Sequence, residues 1–188
     1  MRVVAISGSP SAHSRTAMLA EQVLAMLEAG GGSHLRLATL DPAALLAGDA
    51  THPSIASATA AVEAADGVIV ATPVFKAAYS GLTKAFLDLL PQFALAGKAV
   101  LPLATGGSTA HVLALDYALR PVLQFMGARH VVQGVFVANA PVSSDGALAL
   151  PADVAALLAE AVLHFRHALP GQHYPPLLGH PRPLREMS

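Results

Sequence analysis

Short apolar runs alternate along this chain with longer segments in which apolar residues recur at helical spacing. The predicted strands are residues 3–6, 34–40, 67–71, 99–104 and 131–137. The predicted helices are residues 17–27, 55–65, 80–90, 109–126 and 153–169. Because strands and helices alternate, the pattern indicates an α/β domain with a parallel sheet covered by helices on both faces.

Turn-forming residues bound these elements. Glycines at 30–32 end the first helix, and residues 41–53 are predicted to form a loop with at most one helical turn. Asp153 follows Pro151 and is predicted to cap the last helix. Pro102 lies inside the fourth predicted strand, although proline cannot donate to a sheet ladder and favours edges or bulges. A strand remains the prediction there.

Five strands joined by helices fit the doubly wound order 2-1-3-4-5. In such sheets a ligand binds at the carboxyl ends of the strands that flank the switch point, here the first and third. This rule selects three loops, at residues 7–16, 72–80 and 105–109. One domain is predicted over residues 1–169, followed by a Pro-rich tail at 170–188.

Composition excludes several classes of protein. The chain has 188 residues, of which 54% are hydrophobic and 12% charged, so it is not intrinsically disordered. A net charge of −1 without clustered basic residues argues against nucleic-acid binding. No apolar run has the roughly 18 residues of a membrane span, and the first apolar run is too short for a signal peptide. Cysteine is absent, which is compatible with the cytoplasm. The sparse charge favours a homodimer or homotetramer.

The first loop has the composition of an anion site. It carries four serines, then Arg15 and Thr16, and it leads into a helix, whose first N–H groups and dipole attract anions. This fits a single phosphate better than a nucleotide pyrophosphate, since neither a Walker motif nor a Gly-x-Gly-x-x-Gly spacing is present. From the loop alone, a simple helix cap at Ser14 or Thr16 is an equal alternative.

The other two loops are suited to a flat ring. Pro73 stiffens the second loop, and Phe75 or Tyr79 can pack near a ring, although Tyr79 is equally an ordinary core or interface residue. Lys76 either contacts a phosphate or is simply solvated. Paired glycines in the third loop permit close approach of backbone to a ligand, or form a tight turn. The histidines show no metal-ligand spacing, and no serine lies in a nucleophile motif.

Four stretches resemble a known family. They are Gly8-Ser9-Pro10 with Ser14-Arg15, then A-T-P-V-F-K-A-A-Y-S-G at 71–81, L-P-L-A-T-G-G-S at 101–108, and D-Y-A-L-R-P at 116–121. Together they resemble the NADPH-dependent FMN reductases, specifically the flavin-reductase component of two-component alkanesulfonate monooxygenases. The resemblance covers residues 1 to 137 and implies a flavodoxin-like fold that uses FMN and NADPH or NADH.

The resemblance also implies site residues. It assigns the FMN phosphate to one set of residues and the isoalloxazine ring to another. The phosphate set is Ser9, Ser14, Arg15 and Thr16, and the ring set is Pro73, Val74, Phe75, Lys76, Thr105, Gly106, Gly107 and Ser108. The chain departs from the family at Ser11, where an arginine is common, and at Phe75, where a tyrosine is common. The first departure removes a charge from the phosphate end.

Pro121 interrupts the helix predicted at 109–126. It cannot donate to the carbonyl of Tyr117, so the helix must kink or widen, and π-bulges recur at functional sites. In the family a tyrosine insertion makes such a bulge at a subunit interface beside the flavin, which implies this role for Tyr117. Without the resemblance, a kinked core helix is the simpler interpretation.

The implied activity is hydride transfer from a nicotinamide to FMN, followed by delivery of reduced FMN to a flavin-dependent monooxygenase. One alternative is a quinone, azo-dye or metal-ion reductase that retains its FMN. Another is a flavodoxin-type electron carrier, although such carriers are usually strongly acidic and rich in ring-clamping aromatics. A receiver-type signalling domain would need an acidic cluster that this sequence lacks.

Overall fold

A mainly parallel sheet runs through the centre of the molecule. The computed structural model describes residues 1–27, 32–144 and 146–169, so Gly30, Gly31 and the segment 170–188 lie outside the described residues. The strands are β1 (Val3–Ser7), β2 (Gly32–Arg36), β3 (Gly67–Phe75), β4 (Ala78–Tyr79), β5 (Ala99–Gly106), β6 (His130–Val131) and β7 (Val135–Ala138). Their order is β2-β1-β3-β5-β6, with β7 also paired to β5 and β4 to β3. The predicted order 2-1-3-4-5 is confirmed, because β6 and β7 together occupy the fifth position.

Helices cover both faces of the sheet. They are α1 (Arg15–Met26), α2 (Pro42–Ala47), α3 (Pro53–Ala64), α4 (Gly81–Leu89), α5 (Arg120–Phe125) and α6 (Ala152–Ala168). Alternate residues of each strand face opposite cores. Ile69 faces α1 and α6, where it joins Leu19 and Phe165, whereas Val70 joins Phe86 on the opposite face. Because both faces are buried, the central strands are almost wholly apolar.

The second strand ends earlier than predicted. Strand β2 stops at Arg36, and residues 37–39 form a 3₁₀ turn, so the predicted strand at 34–40 was wrong in its second half. Arg36 pairs with Ser7, the last residue of β1, and beyond it β2 has no neighbouring strand to pair with. The Thr39 hydroxyl instead donates to the Arg36 carbonyl over 2.8 Å.

The predicted loop at 41–53 contains a helix longer than one turn. The carboxylate of Asp41 accepts the N–H of Ala44 over 2.7 Å, and Pro42 occupies the first helical position of α2. Gly48 ends α2 with a φ of 74°, in the left-handed region. Asp-Pro at the start and Gly at the end are standard helix boundaries, so the signal was present in the sequence.

The fifth predicted strand is split, and this break explains Pro102. Both β6 and β7 pair with β5, and residues 132–134 between them interrupt that ladder opposite residues 101 and 102. The carbonyl of Pro102 points toward Gly134, since a Cβ on Gly134 would lie 2.8 Å from that oxygen. A strand residue directs its N and its O to the same side, so the proline nitrogen faces the break, where no hydrogen bond is needed.

Two helix predictions need correction. The segment predicted as one helix at 109–126 consists of a 3₁₀ turn (Thr109–His111), a π-helix (Leu115–Leu119) and α5. Widening ahead of Pro121 is therefore confirmed. The last helix, α6, begins after Pro151 and has no side-chain cap. Asp153 lies in the first turn, where its charge complements the helix dipole, so its assignment as a cap was wrong.

Candidate active site

A groove of about 260 Å³ crosses the carboxyl ends of β1, β3 and β5. Ten of the twelve predicted binding residues line it, whereas Lys76 and Ser108 do not. The ten are Ser9, Ser14, Arg15, Thr16, Pro73, Val74, Phe75, Thr105, Gly106 and Gly107.

One end of the groove is built to receive an anion. The side chain of Ser14 accepts the N–H of Ala17 over 3.1 Å and so caps α1. The first N–H groups of a helix have no intrahelical acceptor, and Arg15 and Thr16, the first two residues of α1, both line the groove. Arg15 is exposed there, and residues 7–16 include no carboxylate. The cap predicted at Ser14 is present, and it orients the same helix end for anion binding.

A buried hydroxyl pair connects this anion end to β5. The Oγ1 atoms of Thr16 and Thr105 lie 2.7 Å apart, and both residues are buried. The two threonines are 89 positions apart in the chain. One hydroxyl donates to the other, and this bond connects the start of α1 to the end of β5.

Replacing Thr105 by valine should therefore cost about 1–3 kcal/mol of unfolding free energy, because the Thr16 hydroxyl would be buried without its partner. The double variant Thr16→Val/Thr105→Val should be more stable than the sum of the two single losses predicts, since no orphaned hydroxyl remains. Urea unfolding of the four proteins forms a double-mutant cycle. Strictly additive losses would show that the pair is not coupled.

A second buried hydroxyl network lies under the β1–α1 loop. The Ser80 hydroxyl donates to the carbonyl of Gly8 over 2.6 Å, and its oxygen lies 2.9 Å from the hydroxyl of Thr83. Thr72 accepts both the Ser80 N–H, over 2.9 Å, and the Thr83 hydroxyl, over 3.1 Å. These bonds join the start of the β1–α1 loop to the end of β3 and the beginning of α4.

The other end of the groove has a flat, apolar wall. Pro73 is buried and lies in register with Thr105 on β5, while Phe75 is 52% exposed at the rim. The β3–β4 hairpin then turns through Lys76 and Ala77, whose φ values are 52° and 66°. Such values are unusual for residues with a Cβ. Lys76 therefore sits in the turn itself, outside the groove, and Ser108 caps the 3₁₀ turn at Ala110 over 3.2 Å.

The loop after β7 supplies a wall that the sequence analysis missed. Asn139, with a φ of 47°, donates from its side chain to Gly107 O over 2.6 Å and from its backbone to Gly106 O over 3.0 Å. Gln22 of α1 holds Leu148 through two bonds, of 3.1 and 3.2 Å. Because β7 is parallel to β5, the strand-end rule would have selected this loop as well. The groove residues that were not individually assigned are Ser11, His13, Val137, Asn139, Ala140 and Leu148, of which the first two lie in the loop selected at 7–16.

Tyr117 lies in the π-helix and is 79% exposed. The Arg120 N–H donates to Leu115 O, five residues earlier, which is the π-helical pattern. The Arg120 guanidinium then fixes the widened turn by donating to Asp116 over 2.9 Å and to Val131 O over 2.7 Å. The π-helix packs against β4 and buries Leu115 and Leu119, whereas Tyr117 does not line the groove of its own chain.

The groove has the donor chemistry that FMN requires. Free helix N–H groups, hydroxyls and Arg15 occupy one end, and an apolar wall edged by backbone occupies the other. Within the described ranges no group of three His, Asp or Glu residues could hold a metal ion. None of the helices described is long and apolar enough to cross a membrane.

Known proteins with similar sequences and structures include several flavin reductases. An FMN reductase (NADPH) of Escherichia coli strain K12 is 46% identical over 144 residues, which are 76% of this chain and 75% of the relative. The apo crystal structure of an NADH:FMN oxidoreductase, EMOB, is 55% identical with a TM-score of 0.87, covering 96% of both chains. A flavodoxin of Streptococcus pneumoniae TIGR4 is 12% identical with a TM-score of 0.60, covering 89% of this chain and 99% of its own, so it shares the fold alone.

The family model described as NADPH-dependent FMN reductase matches residues 1–141. That range contains β1 to β7 and nearly the whole groove. The chain therefore belongs to the NADPH-dependent FMN reductase family, a family of oxidoreductases that use FMN and NAD(P)H on a flavodoxin-like fold.

Proposed function

We propose that the groove binds FMN with its phosphate at the start of α1 and its ring against the ends of β3 and β5. The observation that carries this proposal is the division of one groove into an anion-binding end and a flat apolar end. Ser9, Ser14, Arg15 and Thr16 hold the phosphate in this proposal. The ring lies on Pro73, Val74, Phe75, Thr105, Gly106 and Gly107, with Lys76 and Ser108 just beyond the groove.

The reaction we propose is hydride transfer from the nicotinamide of NADPH or NADH to FMN, with uptake of one proton. Bound FMN supplies the electron-accepting ring, and the protein supplies binding and orientation. Pro73 and Gly106 present a rigid surface on one side of the ring, so that the nicotinamide approaches from the open side. No side chain is required as a general acid or base in this scheme, and none is assigned.

The enzyme is proposed to release reduced FMN to a flavin-dependent monooxygenase in the cytoplasm. Two features support release: the groove is open, and the basic residues of the segment 7–16 are limited to His13 and Arg15. The resemblance to the family places Ser11 at a position where an arginine is common. The resemblance to the reductase component of alkanesulfonate monooxygenases also favours delivery of reduced FMN to a partner monooxygenase. A reductase that retains FMN is the alternative.

The test is oxidation of NADPH and of NADH by the purified protein under air, with and without added FMN. We expect colourless protein whose turnover saturates with added FMN. A yellow protein that needs no added FMN would favour the flavin-retaining alternative. Absence of nicotinamide oxidation with either nucleotide would contradict the reductase assignment.

We also propose that the chain is a homo-oligomer through the face that carries α5. Leu113 is 58% exposed, Tyr117 79% and Phe125 70%, and all three belong to the segment 112–125. A concentration of exposed large apolar side chains in one segment favours an interaction surface. Phe125→Asp should therefore lower the mass measured by light scattering. Leu46→Asp, at an 83% exposed position on α2, is the matched control and should leave the mass unchanged. An unaltered mass in both variants would exclude this face.

A further inference from the structure

Two side chains of the edge strand β2 hold the β1–α1 loop. The ring of His34 contacts the Ser7 hydroxyl through Nε2 at 2.9 Å and the Glu21 carboxylate through Nδ1 at 3.0 Å. Arg36, two residues further along β2, donates to the carbonyl of Ala12 over 2.9 Å. Ser7 begins the loop, Ala12 is in its middle, and Glu21 belongs to the helix that follows it. The strand β2 therefore holds the loop at its start, at its centre and beyond its end.

The contacts of His34 fix its tautomer. A carboxylate only accepts hydrogen bonds, so Nδ1 carries the proton that is donated to Glu21. In neutral His34 the other nitrogen, Nε2, must then accept the O–H of Ser7, which is 2% exposed. If His34 becomes protonated, Nε2 turns into a donor and the Ser7 hydroxyl must direct its own proton elsewhere. The protonation state of His34 thus sets the direction of a hydrogen bond at the base of the loop.

We infer that His34 is a positioning residue for the phosphate-binding loop, and that phosphate binding and protonation of His34 favour each other. The inference rests on the proposed function, because it requires the FMN phosphate to bind at this loop. A phosphate dianion bound at this loop would stabilise a positive charge on the side chain that holds Ser7, directly before the loop. Binding and protonation are thermodynamically linked, so each raises the affinity for the other.

The charges around His34 are consistent with such a coupling. Burial lowers the pKa of His34 below its ordinary value, while Glu21 on α1 raises it and Arg36 on β2 lowers it. The adjacent strand β1 contributes the uncharged Ser7. In the flavin-free protein His34 is therefore mainly neutral at neutral pH, because its lowered pKa means that it gains a proton at a more acidic pH than an ordinary histidine does. As the pH is lowered and His34 becomes protonated, the FMN affinity of the wild-type protein should increase relative to that of a variant without His34.

The first test follows His34 in the wild-type protein by NMR. The Cε1–H resonance is titrated from about pH 5 to about pH 8, free and with saturating FMN or riboflavin, and it is assigned by its absence in His34→Gln. We expect FMN to raise the titration midpoint and riboflavin, which lacks the phosphate, to leave it unchanged. Equal midpoints with FMN and riboflavin would overturn the inference.

The second test compares flavin affinities by fluorescence quenching. The measured quantity is the ratio of the FMN affinity of wild type to that of His34→Gln. When the pH is lowered from about 8 to about 5.5, this ratio should increase by on the order of three- to tenfold. The same ratio for riboflavin should stay flat. Titration of the FMN phosphate itself changes the affinity of both proteins, so its effect cancels in the ratio. A flat FMN ratio, with FMN still preferred over riboflavin, would refute the inference alone, whereas equal binding of the two flavins by wild type would refute the proposed phosphate site.

Discussion

Replacing Arg15 by alanine is expected to weaken FMN binding by on the order of 10- to 100-fold, the effect of losing charge-assisted hydrogen bonds to a phosphate. Arg15 is exposed at the groove end where α1 begins, and its loop otherwise offers only neutral donors and His13. Riboflavin affinity should stay within about twofold of wild type, because riboflavin lacks the phosphate. Hydride transfer in protein saturated with FMN should be little affected.

Fluorescence quenching with FMN and riboflavin measures both affinities directly. Arg15→Lys is the matched control, since it keeps the charge but loses the planar fork, and it should give an intermediate FMN affinity. Equal losses for FMN and riboflavin in Arg15→Ala would indicate a general disturbance of the groove. That result would contradict a contact between Arg15 and the phosphate.

Gly8→Ala is expected to damage both the fold and flavin binding. A Cβ on Gly8 would overlap the Thr83 Oγ1 and would lie 3.1 Å from the Ser80 Oγ. Both hydroxyls are buried and hydrogen-bonded, so neither side chain can turn away without leaving a partner unsatisfied. The expected cost is about 1–3 kcal/mol of unfolding free energy, together with a displaced β1–α1 loop and weaker FMN binding.

Urea unfolding and FMN titration of Gly8→Ala provide the measurement. Gly81→Ala is the control, because a Cβ there meets no heavy atom within 4 Å and the residue begins a helix. The double variant Gly8→Ala/Thr83→Ala removes the clashing oxygen and should recover part of the lost FMN affinity. Wild-type stability and affinity in Gly8→Ala would show that the network under the loop is not tightly packed.

The sheet and its order could be predicted because buried parallel strands are apolar along their whole length. Residues 67–71 and 99–104 read as strands for that reason, and both are central. The exact ends could not be predicted, since they depend on where the neighbouring strand stops, as at Arg36 opposite Ser7. Composition does not separate α-helix from π-helix. Only Pro121 and the resemblance pointed to the widened turn before it.

The groove was found through the strand-end rule together with the resemblance. What the sequence could not show is how its walls are joined. The pair Thr16–Thr105 and the clamp of Gln22 on Leu148 connect residues 89 and 126 positions apart, so no local pattern encodes them. The same holds for His34, whose two partners lie on different elements. Asn139 could have been predicted from the sequence, because it directly follows β7 at the same edge of the sheet.

A crystal structure of the protein with FMN would test the central claim most directly. We expect the phosphate at the N-terminus of α1 beside Arg15, and the ring between the end of β3 at Pro73 and the end of β5 at Gly106. Tyr117 of a second copy beside the ring would also support the role that the resemblance implies for the π-helix. Density for FMN at any other surface, with this groove empty, would contradict the account.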